Sequence, residues 1–119
     1  METTIKVKNA VIKNTMLGVE DHGILTFILH LDYGGEGQGA GLYSLGSGKP
    51  RSYVTMQIIE DILKIVGVDS WEELPGKHIR VKASHSKVYA IGNVLKDKWL
   101  DFDEFFNKEA RIINLDEKT

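Results

Sequence analysis

The side chains that stand out as candidate nucleotide contacts in this 119-residue chain are spread along its length: Asn14, Gln38, Arg51 with Lys49 beside it, His85, Asn93, Lys96 and Arg111. An asparagine or glutamine amide can pair with the edge of an adenine. Histidine can stack on a base, and arginine offers phosphate a planar fork of donors. Each also has a structural alternative of at least equal weight. Lys96 can be a solvated charge, Arg51 a turn residue, Arg111 a helix-end cation, and Asn93 an amide bonded to neighbouring backbone.

Catalysis has no comparable set. His22, His30, His78 and His85 are too scattered to form a ligand set, and no His-Glu-x-x-His spacing occurs. The chain has no cysteine, which removes disulfides, thiolate metal sites and cysteine nucleophiles. Glu72 with Glu73, and Asp101 with Asp103 and Glu104, fall at expected helix starts, where acids complement the helix dipole. No serine sits in a Gly-x-Ser-x-Gly elbow. The expectation is therefore a protein that is not an enzyme and carries no metal or cofactor.

The stretch from Tyr33 to Arg51 is what folding economy does not explain, because seven of the twelve glycines lie between Gly34 and Gly48. Glycine loses more conformational entropy on folding than any other residue, so the cluster calls for a bend, a positive φ or a close approach. Gly35-x-Gly37-x-x-Ala40 meets the bare dinucleotide pattern, but Leu42, Tyr43 and Leu45 follow where a helix should open. A Walker loop ending at Lys49 fails at Tyr43 and again at Pro50. The segment is expected to be a glycine-rich strand edge and wide loop, with Lys49 and Arg51 at its exit.

Length gives one domain spanning 1–119, able to bury roughly two thirds of the surface its unfolded chain exposes. Fifteen basic against seventeen acidic side chains give a net charge of -2. Polymeric nucleic acid needs a basic footprint that this balance lacks, whereas one small nucleotide needs only two or three placed cations. The N-terminal Met1-Glu-Thr-Thr-Ile-Lys-Val-Lys8 carries no apolar leader, and the longest apolar runs are too short to span a bilayer. A soluble, unexported protein with no membrane partner is expected.

The elements that must position these residues follow from periodicity. Thr4 to Lys13 alternates as a strand, and Asn14 to Gly23 loses the alternation and reads as a connection. Ile24 to Tyr33 is a strand with Leu25, Phe27, Leu29, Leu31 and Tyr33 on one face. Its other face is half apolar, which calls for a cover by a partner subunit or by the chain's own helix, and a homodimer or higher homo-oligomer is expected. Leu42 to Leu45 suffices only for a short strand. From Ser52 an amphipathic helix bearing Ile58, Ile59, Ile62 and Leu63 runs to Gly67, and Ser70-Trp-Glu-Glu73 has the spacing of a capping box. His78 to Ala83 and Lys87 to Leu95 are two strands about Ser84-His-Ser86, with Gly92 marking a bulge or the close approach of a ring or backbone. Asp101-x-x-Glu104 caps a final helix carrying Phe102, Phe105 and Phe106. The order implies an α+β fold: a mostly antiparallel β-sheet with one amphipathic helix packed on it and a short C-terminal helix.

Taken together, Thr4-Ile-Lys-Val-Lys-Asn-Ala10, Asn14-Thr-Met-Leu-Gly18, Glu20-Asp-His-Gly-Ile-Leu-Thr26, Leu31-Asp-Tyr-Gly34 with Gly37-Gln-Gly39, and Val66-Gly-Val-Asp-Ser-Trp-Glu-Glu-Leu74 resemble the first described family of phage Thoeris anti-defence proteins. The resemblance runs from the N-terminus through Ile91-Gly-Asn93. It implies a sponge, which binds and sequesters glycocyclic ADP-ribose isomers made by the host's TIR-domain sensor without cleaving them, in the cytoplasm of an infected bacterium. Some members are also associated with cyclic oligonucleotide signals, and members assemble as dimers or larger symmetric oligomers whose pockets involve more than one subunit. Asn93 stands where the family carries a strand asparagine of the pocket, and Arg51 where it carries a loop-exit arginine. Ala40 departs from the aromatic residue expected after Gly-Gln-Gly, and the loop before Arg51 is shorter. A small phage enzyme acting on a nucleotide, and a non-catalytic accessory module, are the alternatives.

Overall fold

In the computed structural model the described residues are 4–19, 25–33, 36–46, 49–84, 87–105 and 107, with the side chains of 36–46 and 49–55 left aside. They form an α+β fold, a mostly antiparallel curled sheet with one long helix and a short helical segment. The strands are β1 (Lys6–Val19), β2 (Leu25–Tyr33), β3 (Glu36–Gly46), β4 (His78–Ala83), β5 (Val88–Gly92) and β6 (Trp99–Asp101), and the helix α1 is Lys49–Val66. In space the order is β3-β2-β1-β4-β5-β6, with each neighbouring pair antiparallel.

β1 is longer than its pattern suggests, because one bulge reverses the alternation. Its register against β2 shifts between Ile12 and Asn14, leaving Lys13 as the extra residue. Before the bulge Ala10 and Ile12 are buried. After it Thr15 and Leu17 stand opposite Leu29 and Phe27, so odd positions take over the inner face. Asn14 to Gly18, expected as a connection, is therefore strand.

β3 corrects a second expectation. The glycine-rich segment is a strand edge as expected, but the wide loop and the short strand at Leu42–Leu45 give way to one strand: all of Glu36–Gly46 lies along β2, from Tyr33↔Glu36 to Leu25↔Gly46. Backbone pairing needs no side chain, so the ladder forms where no period-two pattern announces it.

The core is the inner face of β2, where Phe27, Leu29, Leu31 and Tyr33 are buried, closed by Ile58 and Ile62 of α1 and by Ile79, Val81, Ile91 and Phe102. The sheet curls enough for the Phe27 ring on β2 to come within 6.2 Å, between centroids, of Phe102, just beyond β6. Pro50 falls in the first turn of α1, where its missing N–H removes no helical bond. Gly67 ends the helix at φ 89°, a conformation that favours glycine, and the Val68 N–H donates back to Leu63 O at 3.0 Å. The expected capping element is a short 3-10 helix, Trp71–Glu73, whose Glu73 carboxylate accepts from the N–H of Asp69 at 2.9 Å. Trp71 packs against the core from its margin.

β4 matches its expected bounds. β5 stops at Gly92, short of the expected Leu95, and a bulge between Lys82 and Ala83 leaves Tyr89 over and puts Val88 on the inner face with Ile91. β6 was not anticipated. Residues 102–105 begin a helical turn, with the Glu104 N–H donating to the Asp101 carboxylate at 2.9 Å. Asn107 is helical as well, and the other residues of the expected final helix lie outside the described ones.

Candidate functional site

Two groups of the candidate nucleotide contacts emerge on opposite halves of the sheet. The first is a cross-strand row. Asn14 of β1 stands opposite His30 of β2, and His30 opposite Gly39 of β3. Directly opposed residues share a face, and this one is the outer face, since Leu29 and Leu31 on either side of His30 are buried inward. Asn14 and His30 are exposed. The glycines of β3 continue the row's neighbours: Gly41 opposes Ile28 and Gly37 opposes Asp32. At three successive outward positions the edge strand therefore carries only backbone, beside an exposed amide and an exposed imidazole. Gln38 opposes Leu31 and so belongs to the alternate positions of β3.

The second group is the β5–β6 connection. Asn93 sits at the end of β5, and its side chain is built into the fold. Nδ2 donates to Ile65 O at 2.9 Å, tying the connection to the last turn of α1, while Oδ1 accepts from the N–H groups of Leu95 at 2.8 Å and Lys96 at 2.9 Å. These are the backbone bonds foreseen as the alternative role of this residue. They leave one Nδ2 proton to offer a ligand. Lys96 lies in the same turn and is exposed.

Arg80 holds that turn from below. Its Nε donates to Asn93 O at 2.8 Å and its Nη2 to Lys96 O at 2.9 Å. Its guanidinium carbon lies 4.7 Å from the centre of the Trp99 ring, and the Lys82 ammonium lies 4.4 Å from the same ring. The indole rests on Gly92, where an added Cβ would meet the ring at 2.6 Å. The close approach expected at Gly92 is thus made by Trp99 from the next strand. Trp99 and Arg80 were not among the expected site residues. The signal was there for the first, in the glycine one strand away that demanded a partner.

The remaining candidates do not join either group. Arg51 lies in the first turn of α1, where only the backbone is described. His85 and Arg111 lie outside the described residues.

Beside Trp99 an open cavity of about 430 Å³ is lined by Lys82, Trp99 and Phe105 together with the carboxylates of Asp61, Asp101 and Glu104. Among the described residues no group of three or more His, Asp or Glu is placed to hold a metal ion. Among the described residues, the ionisation that departs clearly from its ordinary value is that of Lys64 on α1, whose ammonium is raised above its usual 10.5 by the hydrogen bond to the Glu60 carboxylate one turn away. No helix among the described residues is long and apolar enough to cross a membrane. Compared with known proteins, the chain matches no family model and no curated protein.

Proposed function

We propose that this chain is a non-catalytic capture protein for a small cyclic nucleotide of the glycocyclic ADP-ribose class, which it binds and returns unchanged, so that the signal never reaches its Thoeris effector in the infected bacterium. The observation that carries this is the edge strand β3. Its Gly37, Gly39 and Gly41 fall at successive outward positions opposite Asp32, His30 and Ile28. Without side chains there, a ring or a second chain can approach the backbone closely. The blocks that resemble the anti-defence family include Asn14 of β1, the two ends of β2 and Gly37–Gly39 of β3, but not His30.

In this account Asn14 and His30 face the base or ribose and Arg51 and Arg111 supply positive charge to the pyrophosphate, while Asn93 and Lys96, on the other half of the sheet, act in a different pocket of the assembly. Cyclic oligonucleotides are a second class of ligand. The partly covered outer face of β2, with Ile28 and Asp32 half-buried and Thr26 buried, suits a further subunit, and the capture protein is a homodimer or a larger homo-oligomer. Light scattering at micromolar protein tests the assembly, and a monomer mass would remove the shared pocket.

The test of the function is a melting titration with glycocyclic ADP-ribose, linear ADP-ribose and NAD. A ligand that binds only the folded state stabilises it by about 2.7 kcal/mol when free ligand is one hundred times its dissociation constant. Stabilisation by the cyclic ligand well beyond the other two is the expected result. Equal shifts would describe a general nucleotide binder, and no shift would favour the accessory module.

A further inference from the structure

We propose that the outer face of β4, at Arg80 and Lys82 with Asn9 of β1 beside them, is a binding site for the phosphate groups of a small phosphorylated ligand. It does not rest on the Asn14–His30–Gly39 row of the signal-capture proposal, which lies on the other half of the sheet, although Arg80 holds the turn that carries Asn93 and Lys96.

Arg80 and Lys82 are two positions apart on one strand, so their α-carbons are about 6.6 Å apart and both side chains rise from the same face. In register, Asn9 of β1, Arg80, Gly92 and Trp99 form one row across the outer face, and Val7, Lys82, Ala90 and Asp101 form the next. Both cations lie over one indole. Cation–π contact holds a charge in place without neutralising it, because the ring contributes a quadrupole and no net charge.

Among the described residues neither cation has a carboxylate within salt-bridge distance. The Arg80 bonds run to the carbonyls of Asn93 and Lys96, which fix the guanidinium through Nε and Nη2 and leave Nη1 to donate. Three of the nearby acids accept hydrogen bonds from other groups: Asp61 from the Gln57 amide at 2.9 Å, Asp97 from the Trp99 indole N–H at 3.2 Å, and Asp101 from the Glu104 N–H at 2.9 Å. Asp61, Asp101 and Glu104 share the cavity with Lys82 but not with Arg80, so the guanidinium is the better placed of the two cations. Asn9 is exposed and adds an amide donor next to it. A cation whose geometry is prepaid by two backbone bonds, a second cation one row away and a neutral donor between strands match the oxygens of a phosphate or diphosphate. Gly92 makes the arrangement possible, since a side chain there would lift Trp99 away from both.

The experiment is an NMR titration of the intact protein with inorganic phosphate, inorganic pyrophosphate and ADP, following the Trp99 indole N–H and the backbone amides of β4 and β5. Saturable shifts confined to Asn9, Arg80, Lys82, Gly92 and Trp99 are expected with pyrophosphate and with ADP. Lys82→Gln should weaken pyrophosphate roughly tenfold and Asn9→Ala roughly threefold, in line with the loss of a charged and a neutral hydrogen bond. Neither residue bonds the fold together here, so both variants stay folded. Tighter ADP than pyrophosphate would assign the site to a nucleotide, and equal affinity to phosphate groups from any source. Shifts spread over every exposed lysine, no saturation at Trp99, or wild-type affinity in Lys82→Gln would each overturn the proposal.

Discussion

Glycine stands in two different settings on the two halves of this sheet. At Gly92 in β5 the missing side chain is filled from within the fold, by the Trp99 ring pressed against the backbone. At Gly37, Gly39 and Gly41 in β3 the bare positions lie along an edge strand, on the outer face beside His30. A glycine that serves packing should reveal itself in stability. One that serves a ligand should reveal itself in binding. The contrast turns an ambiguous composition into separable expectations.

The largest effect should come from the residue that joins the halves. Phe27 is fully buried and reaches Phe102 across the curl. Phe27→Ala should cost about 3 to 5 kcal/mol in chemical denaturation, because it removes a large buried side chain and leaves a cavity. A loss under about 1 kcal/mol would mean that the two halves do not share a core.

Gly92→Ala comes next, at about 1 to 3 kcal/mol, since the new Cβ can be seated only by moving the indole. The Trp99 indole resonance should move with it. Asn93→Ala should cost roughly 1 to 3 kcal/mol through the unpaired Ile65 carbonyl and the lost turn bonds. Calorimetry with ligand then separates its roles: an affinity loss that persists in the folded variant marks a contact, and unchanged affinity leaves Asn93 purely structural.

Gly39→Ala should stay within about 0.5 kcal/mol of the parent in stability, as expected for a surface substitution in a strand. Its ligand affinity should nevertheless fall. If Gly39→Ala unfolds the protein and Gly92→Ala does not, the assignment of the two kinds of glycine is reversed.

The sequence made the β2 inner face legible because alternation and burial coincide there, from Leu25 to Tyr33. The same held for α1, whose apolar stripe ends at Gly67, and for β4. It failed wherever pairing does not depend on side-chain pattern. β1 ran on past Asn14 because one extra residue, Lys13, reversed the phase. β3 formed from a segment with almost no side chains to read. β6 is only three residues, Trp99–Asp101, too few to show a period. Of the candidate contacts, Asn14 gained a partner row that only register could reveal, and Asn93 carries backbone bonds that only the approach of α1 could supply. Arg80 is polar, lies on a correctly read strand and gives no sign in sequence of the two carbonyls it holds.

The smallest effect concerns Lys64. Its raised ionisation means that the ion pair with Glu60 stabilises the fold below the ordinary lysine value and that this stabilisation is lost as pH rises through the raised one. Lys64→Gln should therefore be indistinguishable from the parent in melting temperature at pH 7 beyond the small contribution of an exposed pair, and insensitive to pH up to 9. A difference between Lys64→Gln and the parent that changes strongly with pH in that range would contradict the raised ionisation of Lys64.

The central claim, capture without chemistry, is tested most directly by what the protein gives back. The protein is loaded with glycocyclic ADP-ribose, washed free of unbound ligand and heated to unfold it, and the released nucleotide is analysed by chromatography. Recovery of the intact cyclic molecule in proportion to protein is the predicted result. Linear ADP-ribose or any other cleavage product in the released fraction would contradict it.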